Sequence, residues 1–200
     1  FVNVKVSKKI KRAELGIPEN AILLTSVGEL NQNKNHQIIL RAMAQLKNEN
    51  LYYIIAGEGE NADNLLALSK ELGLENNFRL LGYRNDIPEI YKVSDICCFP
   101  SIREGLPVAV MEAMAAGLPI VSGDNRGSRD LCKNGINGFL CSPFSAKQFT
   151  DAINRIITDI KLANKLSQNN KYTAQNFDFG IANKKMFEIR MFKKMIVVYL

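Results

Sequence analysis

The chain has 200 residues, 46% of them hydrophobic, which is enough for one substantial core in one domain or two small ones. No apolar run approaches the ~20 residues of a membrane-spanning helix, and the start has no apolar centre of the kind a signal peptide needs. The net charge of +6 is uneven: residues 161–200 hold eight Lys or Arg against two acids, and the first 160 residues balance.

In chain order, apolar runs alternate with helical patterns. Residues 21–28, AILLTSVG, read as a buried strand ending at glycine. Residues 35–47 put Ile38, Ile39, Ala42, Met43 and Leu46 on one helical face. A second strand is expected at 51–57, a helix at 61–73 closed by Gly73, and a third strand at 77–82. A short helix at 86–94 follows, with Asp86 as its cap, then a fourth strand at 95–100. Residues 101–117, SIREGLPVAVMEAMAAG, read as a turn and then a helix. A fifth strand is expected at 118–123, a turn of helix at 128–135, a short strand at 138–141 and a long helical stretch from about Ser145.

The strands are apolar throughout rather than on alternate residues. That pattern predicts an α/β fold: a Rossmann-like parallel sheet with helices on both faces. Ligands in such folds bind in the loops beyond the carboxyl ends of the strands. The domain division read from the sequence is 1–20 as a linker or domain start, 21–165 as the binding domain and 166–200 as a helical tail. The chain opens on Phe1 rather than Met, so it is read as a fragment or processed piece of something longer.

The loop into the 101–117 helix carries the most chemistry. Gly105 permits close approach of a ligand, and Pro107 suits a first helical turn. The amides of Gly105, Leu106, Val108 and Ala109 then lack helical partners and, with the helix dipole, suit a phosphate or diphosphate. Glu112 lies roughly 7–8 Å along the axis from Pro107 and leans back toward the loop. An ionised carboxylate accepts hydrogen bonds from two neighbouring hydroxyls, as a ribose offers. Glu104 can do the same for a second sugar beyond the diphosphate. Taken singly, Glu104 reads rather as a surface loop residue and Glu112 as the partner of a structural arginine or the cap of a neighbouring element; the whole string is more specific.

In the first loop, 27–36, Gly28 frees the strand end and Lys34 stands near the next helix, where a bound anion would favour it. Residues 56–62, AGEGENA, form a G-x-G-x-x-A after the second strand, a weak dinucleotide signal because Glu58 would face any pyrophosphate. Gly82 and Arg84 offer a wall for a base or a phosphate. The four cysteines form no C-x-x-C pair and His36 is the lone histidine, so no zinc site is expected, only reduced thiols. The basic residues do not interleave with stacking aromatics as in a nucleic-acid site. Residues 183–200 read either as an amphipathic membrane-surface helix or as a packed terminal helix.

These residues resemble a known family. SIREGLPVAVMEAMAAGLPIVS is similar to the Glu–seven–Glu signature of retaining glycosyltransferases of the GT-B fold, family four. SVGELNQNKNH, IIAGEGE, LLGYRNDIPEIYKVSDICCFPS and RGSRDL match further landmarks in order, over roughly residues 20 to 165. The resemblance is to the bacterial type that builds capsular and exopolysaccharide units. It implies the C-terminal, donor-binding half of a two-domain enzyme that moves a hexose from a nucleoside-diphosphate sugar, with UDP the commonest carrier.

It further implies Glu104 on donor-sugar hydroxyls, Glu112 on the ribose diol, and Lys34 with the amides of 105–108 on the diphosphate. Gly57 and Gly82 would flank the nucleoside. Glu104 and Lys34 are the expected catalytic pair, without metal or cofactor. A cytoplasmic location is expected, peripheral to a membrane in the amphipathic reading of the tail. One residue departs from the pattern: Glu29 stands where members often carry an arginine, and Arg103 is the candidate replacement cation. The competing readings are a non-catalytic nucleotide-sugar-binding module, a nucleotide-sugar epimerase and, weakest, an NAD-binding domain.

Overall fold

The computed structural model describes residues 4–175. Six strands form one sheet: β1 (Ile22–Val27), β2 (Leu51–Ala56), β3 (Phe78–Leu80), β4 (Ile96–Phe99), β5 (Ile120–Gly123) and β6 (Gly138–Cys141). All pairings are parallel, in the order β3-β2-β1-β4-β5-β6. The chain winds outward from β1 in one direction and from β4 in the other. The two strands at the reversal are neighbours, and their carboxyl ends open a crevice.

Eight helices complete the described chain: α1 (Lys8–Glu14), α2 (Gln37–Leu46), α3 (Ala62–Glu71), α4 (Ile87–Val93), α5 (Val108–Ala116), α6 (Arg126–Leu131), α7 (Ala146–Thr158) and α8 (Ile160–Ala174). The apolar strands bury both faces. Leu24, Tyr53, Ile55, Cys98 and Val121 join a core with Ile39 of α2 and Phe149 of α7. Their neighbours Cys97, Phe99 and Ile120 face Val110 and Met114 of α5 on the other side, and Leu23 and Ile54 face Ile90 of α4. The absence of alternation in the sequence is therefore two alternating patterns superposed.

The long helical stretch is two helices. Asp159 leaves helical geometry (φ −121, ψ 92) and its side chain accepts from Leu162 N at 3.0 Å, starting α8. The division expected at 165/166 falls within α8, where Leu166 is fully buried. Segment 1–20 contains α1, whose Arg12 is also fully buried. The Arg12 guanidinium donates to the carbonyls of Val93, Glu19 and Ala21 and to Asp95 Oδ2 at 2.7 Å, and Asp95 also accepts from Leu23 N at 2.8 Å. Each donor has a partner, which is the condition for burying such a charge. Residues 183–200 lie outside the described residues, and both readings of them with it.

Candidate functional site

The loops after β1 (28–36) and β4 (100–107) meet at the crevice. Ile102 N donates to Asn33 O at 2.9 Å, Arg103 N to Asn33 Oδ1 at 3.2 Å, and Asn33 Nδ2 to Arg103 O at 3.0 Å. Between and beside these bonds, Lys34 Nζ donates to Glu104 Oε1 at 2.7 Å. The two side chains are 20% and 13% exposed. Lys34 Nζ also lies 5.0 Å from the centroid of the Phe99 ring. The two residues expected to do catalysis thus touch, with the charged atoms half-withdrawn from water. Lys34 stands in the turn before α2 rather than at its first residue, and Asn31 Oδ1 accepts from its N–H at 3.0 Å.

The α5 entrance differs in detail from expectation. Pro107 is the N-cap rather than a residue of the first turn, with φ −79 and ψ 86, and the helix starts at Val108. Its φ fits either place, but its ψ carries the chain into an extended turn, and Val108 N bonds back to Leu106 O at 3.0 Å. The Val108 amide is therefore taken by the protein. The amides of Gly105, Leu106 and Ala109 have no hydrogen-bond partner among the described residues. The turn is open to solvent, with Leu106 63% and Val108 57% exposed. Those free donors face no acidic residue in the first turn of α5. Together they make an electropositive, accessible pole beside Lys34.

Residues the sequence reading missed hold this turn in place. Gly127 of α6 donates to Glu104 O at 3.2 Å. A Cβ there would lie 2.6 Å from Gly105 O and 2.9 Å from Glu104 O, so only glycine lets α6 approach. Asn125 Nδ2 donates to Ser101 O at 2.9 Å. On the other side of the crevice His36, buried, has Nδ1 3.2 Å from Tyr53 Oη and Nε2 3.3 Å from Glu29 O. Burial pushes the His36 pKa down to about 4, so the ring is neutral at ordinary pH. Nothing in the sequence marks it except its place between a turn and an apolar helix.

Glu112 is partly buried, and desolvation raises its pKa above the ordinary carboxylate range. Its carboxylate has no hydrogen bond or ion pair with the described residues, so the structural-arginine alternative has no counterpart there. A half-buried carboxylate with no hydrogen-bond partner among the described residues has acceptor capacity for a ligand.

Gly28, Gly57 and Gly82 come together. Gly57 N donates to Gly82 O at 2.8 Å, and a Cβ at Gly57 would lie 1.9 Å from Gly28 O. Leu30 N donates to Glu58 O, and Asn61 N to Leu30 O, both at 2.9 Å. The G-x-G-x-x-A spacing thus serves contact between two protein loops.

Arg84 stands in a different set of contacts. Its guanidinium is bidentate on Asp86 at 2.7 and 2.6 Å and reaches Glu14 Oε1 at 2.8 Å. Lys11 joins Asp86, Glu14 and Glu89. The cap reading of Asp86 is corrected here. Asp86 occupies the N-cap position of α4 but makes no capping hydrogen bond, because Arg84 and Lys11 take its oxygens. Arg84 first, then Lys11, hold its carboxyl well below the usual range.

Glu29 is exposed and accepts from Asn31 Nδ2 at 2.8 Å. Arg103 is exposed, and among the described residues its hydrogen bonds are made by its backbone. The four cysteines are free and buried, and burial pushes Cys97, Cys132 and Cys141 up to about 12. Among the described residues no cluster of His, Cys, Asp or Glu is grouped to hold a metal, and no helix is long and apolar enough to cross a membrane.

This geometry has relatives. The chain superposes on HepE of Anabaena in complex with UDP-glucose with a TM-score of 0.86 and 28% identity, covering 92% of this chain and 52% of that one. It is similar in fold to the C-terminal domain of a glycosyl transferase group 1 family protein (LpcC) from Francisella tularensis (TM-score 0.78, 22% identity), covering 88% of this chain and 94% of that one. In sequence it is 35% identical over 165 residues to the UDP-Gal:alpha-D-GlcNAc-diphosphoundecaprenol alpha-1,3-galactosyltransferase of Escherichia coli, covering 80% of this chain and 42% of that protein. The chain spans about half the length of the curated relatives it matches. The family model for glycosyl transferases group 1 matches residues 7–173, and the chain belongs to that family.

Proposed function

We propose that the chain is the donor-binding half of a retaining glycosyltransferase and binds a nucleoside-diphosphate hexose, with UDP as the carrier. One observation carries this: the Lys34–Glu104 pair lies beside three amides, at the start of α5, that have no hydrogen-bond partner among the described residues. The diphosphate takes those amides and the Lys34 ammonium. Glu104 turns to hydroxyls of the donor sugar, and Glu112 accepts from the ribose diol. As the bond from the anomeric carbon to the diphosphate stretches, negative charge grows on the leaving oxygens. Fixed donors aimed at that position stabilise it without reorganisation. Supporting the carrier, HepE was crystallised with UDP-glucose and the Escherichia coli relative is named for UDP-Gal.

Arg103 supplies the second cation that Glu29 does not. Arg103→Ala is expected to weaken UDP binding, and unchanged affinity would reject that role. The acceptor, a polysaccharide or lipid-linked sugar, is met by the other half of the enzyme. A cytoplasmic setting, at a membrane face where the acceptor is lipid-linked, accords with four buried free thiols. The chain alone is therefore expected to bind donor weakly and to transfer sugar very slowly or not at all.

Calorimetric titration of the chain with UDP, GDP, ADP and NAD tests the reading. UDP binding above the other three is expected. Preference for NAD, or no binding of any nucleoside diphosphate, would overturn it.

A further inference from the structure

We infer that Asn33 and Asn35, the asparagines that bracket Lys34, are positioning residues that set the Lys34–Glu104 geometry and through it the diphosphate site. The inference rests on the nucleotide-sugar reading above. The β1–β4 register is paired at Leu24↔Ile96 and Thr25↔Cys97, although the strands run on to Val27 and Phe99. Past that point the backbone pairing stops and Ser26 Oγ donates to Cys98 O at 2.5 Å, within the strands and short of the two loops. Lys34 and Glu104 sit on opposite banks of this split.

What spans it is specific. Apart from the ion pair, each hydrogen bond between loops 28–36 and 100–107, among the described residues, is made by Asn33 or Asn35. Asn33 uses its carbonyl toward Ile102 N and both ends of its side-chain amide toward Arg103. It is a reciprocal clasp on the residue immediately before Glu104. Asn35 is buried and donates to Pro100 O at 3.4 Å and to Pro143 O at 2.7 Å. Its φ of 54 is left-handed, a conformation that asparagine tolerates better than most residues. Lys34, on a flexible four-carbon stem, is thus held at its backbone from both sides and at its ammonium by Glu104. Cutting the clasp leaves the stem and the carboxylate in place but frees their relative position.

The test separates positioning from loosening of the fold. Asn33→Ala and the wild-type chain are titrated with UDP and with uridine, read by NMR shifts so that millimolar affinities are measurable. Asn33→Ala is expected to weaken UDP about tenfold, the size that coupling between neighbouring contacts commonly reaches. Uridine affinity should stay within about twofold, because the nucleoside does not meet Lys34. In the same spectra the Arg103 amide should lose its protection from hydrogen exchange. Equal losses for UDP and uridine would mean general loosening and overturn the inference. Unchanged UDP affinity would overturn it too, while leaving the donor reading intact. A wild-type chain that binds no UDP would overturn both. If Asn33→Ala does not fold, Asn33→Ser, which keeps a small polar side chain in the turn but lacks the amide that bonds Arg103, carries the same comparison.

Discussion

Lys34 Nζ and Glu104 Oε1 stand 2.7 Å apart, so the cation and the carboxylate of the site are paired with each other before any ligand arrives. In the proposed donor complex they have different partners. Lys34 must turn part of its hydrogen bonding to phosphate oxygens, and Glu104 must exchange an ammonium for hydroxyls. The pair is a resting arrangement that a nucleotide sugar can rewrite at both ends, whereas a bare nucleoside diphosphate satisfies only Lys34.

Neutralising the acid should therefore help the product and harm the donor. Glu104→Gln frees the ammonium and removes a negative charge from beside the diphosphate. UDP affinity is expected to rise about two- to tenfold, the range of a partly exposed ion pair. The margin by which a UDP-sugar outbinds UDP should shrink. Calorimetry on both ligands checks it, and a fall in UDP affinity would contradict the arrangement.

Lys34 and Arg84 should respond in opposite ways. Lys34→Ala removes a charge-assisted contact and should weaken UDP about tenfold or more. Arg84, bonded to Asp86 and Glu14, should matter for stability instead. Arg84→Ala is expected to cost about 1 kcal/mol, as partly exposed bidentate ion pairs do, and to leave UDP affinity within about twofold. Urea denaturation and calorimetry on the two variants give both numbers.

Glu112 makes a pH-dependent prediction. Desolvation raises its pKa in the folded chain above the ordinary carboxylate value. The folded state then binds that proton more tightly than the unfolded state, so this group's contribution to stability falls as pH rises between the two pKa values. Glu112→Gln is expected to melt higher than the wild-type chain at neutral pH, with the gap closing as pH drops below the carboxylate range. Wild-type UDP affinity should fall over the same acid interval, as the carboxylate proposed to accept from the ribose diol is protonated. Melting curves across pH check the first statement and titrations check the second; a gap that widens toward acid would contradict it.

Gly57 tests the convergence of the three strand ends. An added Cβ would lie 1.9 Å from the carbonyl of Gly28, and its φ of 153 disfavours any side chain. Gly57→Ala is expected to cost about 2–3 kcal/mol, the upper end for overpacking, measured by urea denaturation. A loss below about 0.5 kcal/mol would mean the loops part without penalty.

Much of this architecture is legible along the chain because its causes are local. The runs ILLTSV, LYYIIA and ICCF show no alternation of apolar and polar positions, as a doubly covered sheet requires, and they become β1, β2 and β4. The Gly105–Leu106–Pro107 turn announces a helix start, missed by one residue because proline's fixed φ suits both the N-cap and N1. The rest depends on partners far away in sequence. Arg12 stands in a basic stretch with nothing local to mark it for burial, and its carboxylate partner, Asp95, is 83 residues on. Asn33 reads as a turn residue, and its clasp closes only when Arg103, 70 residues later, is brought beside it. Asp86 has the right spacing for a cap, and Lys11 of α1 together with Arg84 outcompetes the helix amides for its oxygens. Such competition between equally suitable partners leaves no periodic trace.

The most direct measurement is a UDP titration of the chain followed residue by residue through backbone amide NMR shifts. The largest changes are expected at Gly105, Leu106 and Ala109, whose amides have no partner among the described residues, with Lys34 and Glu104 moving alongside as their contact is exchanged. Saturable binding with shifts confined elsewhere, or with those three amides still, would contradict that expectation.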